Sequence, residues 1–138
     1  MGLEKIFDLM PFADLLGIEI THVGDGYAEG TLEMREELSS VPGGGVAHGG
    51  VTYSLADTVG GAAVMSATED VSPTIDMRID YIAPATDDLE AEAEVVRVGG
   101  NVVVVDVDVW DADGHHVATA RGVYKSGGRS EDTPWLAD

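Results

Sequence analysis

The stretch at residues 48–57, HGGVTYSLAD, ends a glycine-rich loop and begins an apolar run of small residues. Residues 49–66 predict a helix of roughly 25 Å, because apolar residues recur there every three to four positions. The members of this apolar stripe are Val51, Leu55, Val59 and Ala62. Gly60 and Gly61 each lower helix propensity by about 1 kcal/mol relative to alanine. We expect such a pair where another backbone must come very close.

Downstream of this helix the apolar period changes from 3.6 to 2, which is typical of strands with one covered face. The alternating apolar residues are Ile75, Met77, Ile79 and Tyr81, then Leu89, Ala91, Ala93 and Val95, then Val103, Val105, Val107 and Val109. Residues 116–125 predict a further strand. The turn signals VGGN (98–101) and DADG (111–114) join neighbouring strands, so this part is predicted to be an antiparallel meander.

The upstream part of the chain predicts a helix and a hairpin. Residues 3–16 have helical spacing that Pro11 interrupts, and residues 17–23 and 27–34 flank a GDG turn. Only the long helix is available to cover the sheet. The predicted fold class is therefore α+β, with a curved antiparallel sheet wrapped around one long central helix.

The length of 138 residues suits a single domain. We assign that domain to residues 1–125 and expect residues 126–138 to form a mobile C-terminal tail. The chain has no internal repeat and no second domain.

The charge balance is extreme, with 26 acidic residues against seven basic ones and a net charge of −19. It disfavours nucleic acid as a partner, because phosphate contacts need clustered Lys or Arg. Self-repulsion opposes compaction in dilute buffer, whereas molar salt shortens the Debye length to about 3 Å and screens it. The composition is typical of proteins from salt-accumulating halophiles, with an ordinary acidic protein as the alternative.

Three features are absent from the sequence, and two of these absences bear on location. There is no cysteine, which excludes disulfides and thiolate metal sites. No apolar run approaches the ~20 residues that span a bilayer, and the N-terminus lacks the pattern of a signal peptide. We expect a cytoplasmic protein without a membrane partner.

The loop GGGVAHGG (43–50) invites interpretation as a phosphate cradle, but no Gly-Lys-Ser/Thr follows it. Its position before the helix favours another role. The first N–H groups of a helix have no internal partners and, together with the helix dipole, favour negative charge such as a developing oxyanion. His48 either positions a substrate there or caps the loop.

The remaining histidines do not form a metal-binding pattern. His115 and His116 lie in the turn DGHH, where they are weak candidate metal ligands but more typical of a solvated turn. His22 has no partner in the sequence. We therefore predict no metal site.

Asp57 is the one charged residue between positions 49 and 66. It is either a solvated surface acid or a carboxylate in a partly desolvated cleft. An exposed helix in so acidic a chain should carry several charges, so the second interpretation implies a further covering surface such as a partner subunit. A carboxylate in that setting can attack a carbonyl or activate water as a general base.

Three stretches together carry a family resemblance: HGGVTYSLAD, TIDMRIDYIAPA, and EAEVVRVGGNVVVVDVDVWDADGHHVATARGVY. In this order and spacing they resemble the hotdog-fold acyl-CoA thioesterases of the phenylacetate-pathway (PaaI-like) type, over roughly residues 12–125. The resemblance implies an enzyme that hydrolyses acyl-CoA to a free carboxylic acid and CoA. It implies no cofactor beyond the CoA of the substrate.

The resemblance also implies roles for individual residues. The amide of Gly49 polarises the thioester carbonyl, while His48 and Gly50 shape the turn. Asp57 acts as nucleophile or general base, and Thr74 assists the water or the carboxylate. The substrate-binding residues that it implies are Gly50, Tyr81, Pro84, Arg97, Gly99, Gly100 and Asn101.

The family's site is shared across a dimer interface, where the HGG turn of one subunit faces the carboxylate of the other. Two such dimers commonly form a tetramer. This chain departs from the pattern at Pro42, where many relatives have an Asn, and at Gly100, where relatives often have a basic residue. The alternative function is a non-catalytic acyl-CoA binding or sensing module on the same fold, and a hotdog dehydratase is a weaker one.

Overall fold

The computed structural model describes residues 9–126. Two α-helices, a 3₁₀ turn and six strands make up this part. The helices are α1 (Pro11–Leu16) and α2 (Gly49–Thr68), and the 3₁₀ turn is Glu36–Leu38. The strands are β1 (Ile18–Gly24), β2 (Tyr27–Leu32), β3 (Thr74–Tyr81), β4 (Leu89–Val98), β5 (Val102–Asp111) and β6 (His116–Lys125). Residues 3–8 of the predicted first helix and 127–138 of the predicted tail lie outside the described residues.

The six strands form one antiparallel sheet in the order β1-β2-β4-β5-β6-β3. The predicted meander is present as β4, β5 and β6. Strand β3 follows the helix but lies at the far edge, where β6 is its only partner among the described residues. Helix α2 contacts all six strands, so the predicted α+β hotdog fold is confirmed.

The core lies between α2 and the inner face of the sheet. The stripe predicted for the helix is buried, and the inward valines of β5 are fully buried: Val103, Val105, Val107 and Val109. Burial of each such side chain contributes about 1.5–3 kcal/mol. On β4 the facing residues Ala91 and Ala93 are small, which lets the helix approach the sheet.

Strand β3 departs from its predicted alternation. Of its apolar residues only Met77 is buried, while Ile75 is 57% and Tyr81 53% exposed. The prediction of a fully covered face was wrong here because β3 is an edge strand. Residues 9–126 thus leave an edge and an apolar surface of β3 uncovered.

The glycine pair in α2 faces a side chain and not a backbone, which corrects the prediction. A Cβ at Gly60 would lie 2.9 Å from the hydroxyl oxygen of Tyr124, and a Cβ at Gly61 would lie 3.4 Å from its ring. The phenol of Tyr124 therefore occupies the space that the two missing methyl groups leave.

The outer face of the sheet concentrates acidic side chains. Glu29, Glu92 and Asp108 are directly opposite one another on β2, β4 and β5. In the next row Glu94 is opposite Asp106. Like charges directly across neighbouring strands are destabilising, so the fold places part of its negative charge where repulsion is strongest.

Salt is expected to stabilise this fold. Because screening shortens the range of the repulsion across the outer face, the melting temperature should rise as KCl increases from millimolar to molar concentration. Glu92→Gln removes the central charge of the three-acid row, so it should raise the melting temperature in dilute buffer and flatten its rise with salt. Thermal melts of both proteins across a KCl series measure this. A midpoint that stays flat or falls would contradict the expectation.

Candidate active site

Asp57 lies about two turns into α2 and is half-buried. Its Oδ1 accepts two hydrogen bonds, one from the Thr74 hydroxyl at 2.7 Å and one from the Tyr124 hydroxyl at 2.9 Å. Within residues 9–126 no group donates a hydrogen bond to the other oxygen, Oδ2. The structure thus brings the predicted residues Asp57 and Thr74 together and leaves one carboxylate oxygen available.

Tyr124 is the residue of this cluster that the sequence reasoning missed. Its side chain is almost fully buried, and its hydroxyl also lies 2.8 Å from the main-chain oxygen of Asp57. Burial, together with the charge of Asp57, raises the pKa of Tyr124 far above its usual value. The hydroxyl therefore stays protonated and remains a donor.

A cavity of about 300 Å³ opens beside this carboxylate. Its wall contains the three polar residues of the cluster together with mostly apolar ones. The apolar lining comes from Met10, Gly61, Met65, Val71 and Pro73. An apolar cavity with a few convergent polar groups is the usual form of a small-molecule site.

The start of α2 forms a second site-like arrangement. His48 is the N-cap residue, and its Nδ1 accepts a hydrogen bond of 2.9 Å from the Gly50 amide. The structure gives the Gly49 amide no acceptor among the described residues. Capping therefore accounts for His48 and Gly50, and it leaves the Gly49 N–H as the amide that can serve a ligand.

A cleft of about 420 Å³ lies against this helix start and contains Gly49, Tyr81 and Pro84. The Tyr81 hydroxyl donates to the main-chain oxygen of Gly49 at 2.8 Å, and a Cβ at position 49 would lie 3.2 Å from its ring. Three of the predicted residues are therefore neighbours. The cleft is separate from the cavity beside Asp57.

Gly49 and Asp57 are eight residues apart on one straight helix. At 1.5 Å per residue this is about 12 Å along the axis. A single thioester group is only a few ångströms across, so it cannot contact both residues within one chain.

The other predicted substrate-binding residues lie where β4 joins β5: Arg97 is near the end of β4, and Gly99, Gly100 and Asn101 form the turn. None of them lines either cavity. The turn itself requires glycine at position 99, because a Cβ there would lie 2.9 Å from the main-chain oxygen of Val102. Ser126, two residues after Tyr124, donates to the main-chain oxygen of Asn101 at 2.9 Å, so the turn lies at the Asp57 end of the sheet.

The turn after β5 places ligand atoms of Asp111, Asp113 and His115 within 4.8 Å of one another. Asp111 is already engaged there. Burial disfavours its charge, but the His115 amide and ring and the Asp113 amide donate to its carboxylate, and the net effect lowers the pKa of Asp111. The geometry is that of a turn held by an Asp side chain.

Comparison with known proteins identifies the family to which a chain with this geometry belongs. The profile of the Thioesterase superfamily matches residues 44–118, a segment that contains the HGG turn, α2 and β3. The chain belongs to the thioesterase superfamily. As a member of it, the chain is a thioester hydrolase.

Among relatives of this thioesterase, a Halobacterium salinarum protein whose name assigns it provisionally to the esterases is 38% identical over 122 residues, covering 80% of each chain. The medium/long-chain acyl-CoA thioesterase YigI of Salmonella typhimurium is 26% identical over 134 residues, covering 86% of each. The solved structure of the Escherichia coli PaaI protein, from the phenylacetic acid degradation operon, superposes with a TM-score of 0.81 at 28% identity and 91% coverage of each chain.

No helix within residues 9–126 of this thioesterase-superfamily chain has the length and apolar character needed to cross a bilayer.

Proposed function

We propose that this protein hydrolyses an acyl-CoA thioester to a free carboxylic acid and CoA. The observation that carries the proposal is the half-buried carboxylate of Asp57 beside an apolar cavity. Two hydroxyl groups donate to its Oδ1, and no group among residues 9–126 donates to its Oδ2. A protein that only binds acyl-CoA has no need of a carboxylate next to the thioester. The name of the YigI relative, a medium/long-chain acyl-CoA thioesterase, supports the same substrate class.

The chemistry requires a donor for the carbonyl oxygen and a group that acts on the carbonyl carbon. The Gly49 N–H, at the positive end of α2, is the donor. Asp57 Oδ2 then acts in one of two ways. It attacks the carbonyl, expels the CoA thiolate and forms an anhydride that water hydrolyses. Alternatively it removes a proton from a water that attacks the carbonyl directly, and the C–S bond then breaks to release the CoA thiolate and the free acid.

The two groups come together when two copies of the chain share the site. Within the part of the chain that the structure describes, strand β3 has a free edge, with Thr74 at one end and Tyr81 at the other. Antiparallel pairing of β3 with its two-fold copy sets the Thr74 end of one strand against the Tyr81 end of the other. The Asp57 of one protomer then faces the Gly49 of its partner. We therefore propose a homodimer, alone or paired into a tetramer.

The outward side of α2 supports this assembly. Apart from Asp57 its half-buried residues are uncharged: Gly49, Tyr53, Ser54, Thr58, Gly61, Met65, Ser66 and Thr68. A net charge of −19 is thus kept away from this surface. An uncharged, half-buried helix face beside an open sheet edge is suited to a second copy.

The CoA portion of the substrate is assigned to the cleft at Tyr81 and Pro84 and to the turn at Arg97. Arg97 and Lys125 are both exposed, and neither makes an ion pair within the described part of the chain. Among the described lysines and arginines, these two are the ones that remain available for phosphate groups. The proposed setting is the cytoplasm, where acyl-CoA is found.

A thiol-release assay tests the proposed function. Short-chain, medium-chain, long-chain and aromatic acyl-CoAs are supplied in molar KCl, and free CoA is titrated with a thiol reagent. We expect turnover of at least one class, with Asp57→Asn protein from the same purification as the control for contaminating hydrolases. Saturable acyl-CoA binding without turnover of any class would instead assign the chain as a binding module.

A further inference from the structure

The buried phenol of Tyr124 is not explained by packing alone. Its hydroxyl is 2.9 Å from Asp57 Oδ1 and 2.8 Å from the main-chain oxygen of the same residue. We propose that Tyr124 is a positioning residue that fixes the Asp57 carboxylate so that Oδ2 points to the substrate. The inference rests on the proposed thioesterase function and deepens it.

The two donors to Asp57 come from a single cross-strand pair. Thr74 on β3 is directly opposite Tyr124 on β6, and both hydroxyls reach the same oxygen. A carboxylate on a helix can otherwise rotate and exchange its two oxygens. With one oxygen held from the sheet, the plane of the carboxylate is fixed, and the other oxygen is left for the substrate.

The sequence is arranged to hold this ring in one place. A Cβ at Gly122 would lie 2.7 Å from the Tyr124 ring, and a Cβ at Gly60 would lie 2.9 Å from its hydroxyl. A Cβ at Gly61 would also lie close to the ring, at 3.4 Å. Three glycines on two elements therefore make room for one phenol. Leucine or methionine would fill such a space without any hydroxyl, so the polar tip is a specific feature of the site.

The single proton of the Tyr124 hydroxyl is shared between Oδ1 and the main-chain oxygen of Asp57. The main-chain oxygen of Asp57 belongs to the backbone of α2, so its contact with the Tyr124 hydroxyl fixes the ring relative to the helix. Correct orientation of a reacting group contributes directly to rate, and small displacements are costly. Loss of the hydroxyl should therefore slow the chemical step and leave substrate binding largely unchanged.

The test is Tyr124→Phe, which keeps the ring and removes only the hydroxyl. We expect kcat for the best acyl-CoA to fall about tenfold, as for the loss of one hydrogen bond to a charged group, with KM within about twofold of wild type. The matched control is Tyr27→Phe, which removes a hydroxyl that bonds Glu29 away from both cavities. The control should retain wild-type kcat.

A double-variant cycle separates positioning from structure. If the hydroxyl acts through the carboxylate, adding Tyr124→Phe to Asp57→Asn should produce no further loss of kcat. Wild-type kcat in the single variant would overturn the inference, and so would an equal further loss in the Asp57→Asn background.

The hydrogen bond itself is measured without any activity. In protein labelled at its four tyrosines, the hydroxyl proton of Tyr124 should appear at low field by NMR and move upfield in Asp57→Asn, because a neutral amide is a weaker acceptor. An unchanged signal would contradict the inference even if Tyr124→Phe failed to fold. Absence of turnover by the wild type would count against the proposed function and leave this measurement intact.

Discussion

Asp57→Asn protein is expected to lose at least about 100-fold in kcat, which corresponds to about 3 kcal/mol of barrier. The amide keeps the size and shape of the carboxylate but can neither attack a carbonyl nor accept a proton from water. Its Oδ1 still accepts from the hydroxyls of Thr74 and Tyr124, so the local structure should persist. Steady-state kinetics on the best acyl-CoA measure the effect. The loss should fall on kcat more than on KM, because the CoA portion binds elsewhere.

The control for this variant is Asp106→Asn, an equivalent change on the outer face of the sheet, where the Asp106 carboxylate bonds Arg121 at 2.7 Å. It should retain wild-type turnover. Asp57→Asn should also fold normally, since removing one charge from a chain of net charge −19 relieves repulsion. A folded Asp57→Asn protein that hydrolyses its substrate at near wild-type rate would remove Asp57 from the chemistry and favour a binding module.

The sequence was sufficient to predict the long helix, the meander and the association of Asp57 with Thr74. Both periodicities extend over many residues, so local pattern and tertiary burial agree. Asp57 was recognisable because it interrupts an uncharged helix. The partnership with Thr74 came from the family resemblance, and the 2.7 Å contact between the two side chains is what the structure adds.

Tyr124 could not be found in this way because its partner lies 67 positions earlier in the chain. The contact depends on how α2 lies against β6, which no turn signal encodes. One signal was present in the sequence. Gly60–Gly61 on the helix and Gly122, two residues before Tyr124, together mark the space for a large side chain. From the sequence alone we had interpreted the glycine pair in the helix as room for a closely approaching backbone.

Two variants that are each inactive are expected to restore activity when they are mixed. Gly49→Val places a branched side chain against Tyr81, where even a Cβ would be 3.2 Å from the ring, and so blocks the approach to the donor amide. Asp57→Asn removes the carboxylate. In a mixed dimer with shared sites, one site combines an intact Gly49 with an intact Asp57, and the other site carries both changes. Equal amounts of the two proteins, refolded together in molar KCl, should therefore recover about a quarter of wild-type activity, since half of the dimers are mixed and each has one of its two sites intact.

The matched control is the double variant Gly49→Val/Asp57→Asn refolded with an equal amount of wild type. If the sites are shared, every mixed dimer has two defective sites, so only wild-type dimers act and about a quarter of the activity remains. If each chain contained a complete site, the same mixture would retain about half, and the mixture of single variants would recover nothing. Wild type refolded alone corrects for the yield. Poor refolding cannot imitate a shared site, because it lowers the activity of both mixtures. A shared site instead raises the activity of the mixed single variants above zero and lowers the activity of the mixture of double variant and wild type below one half.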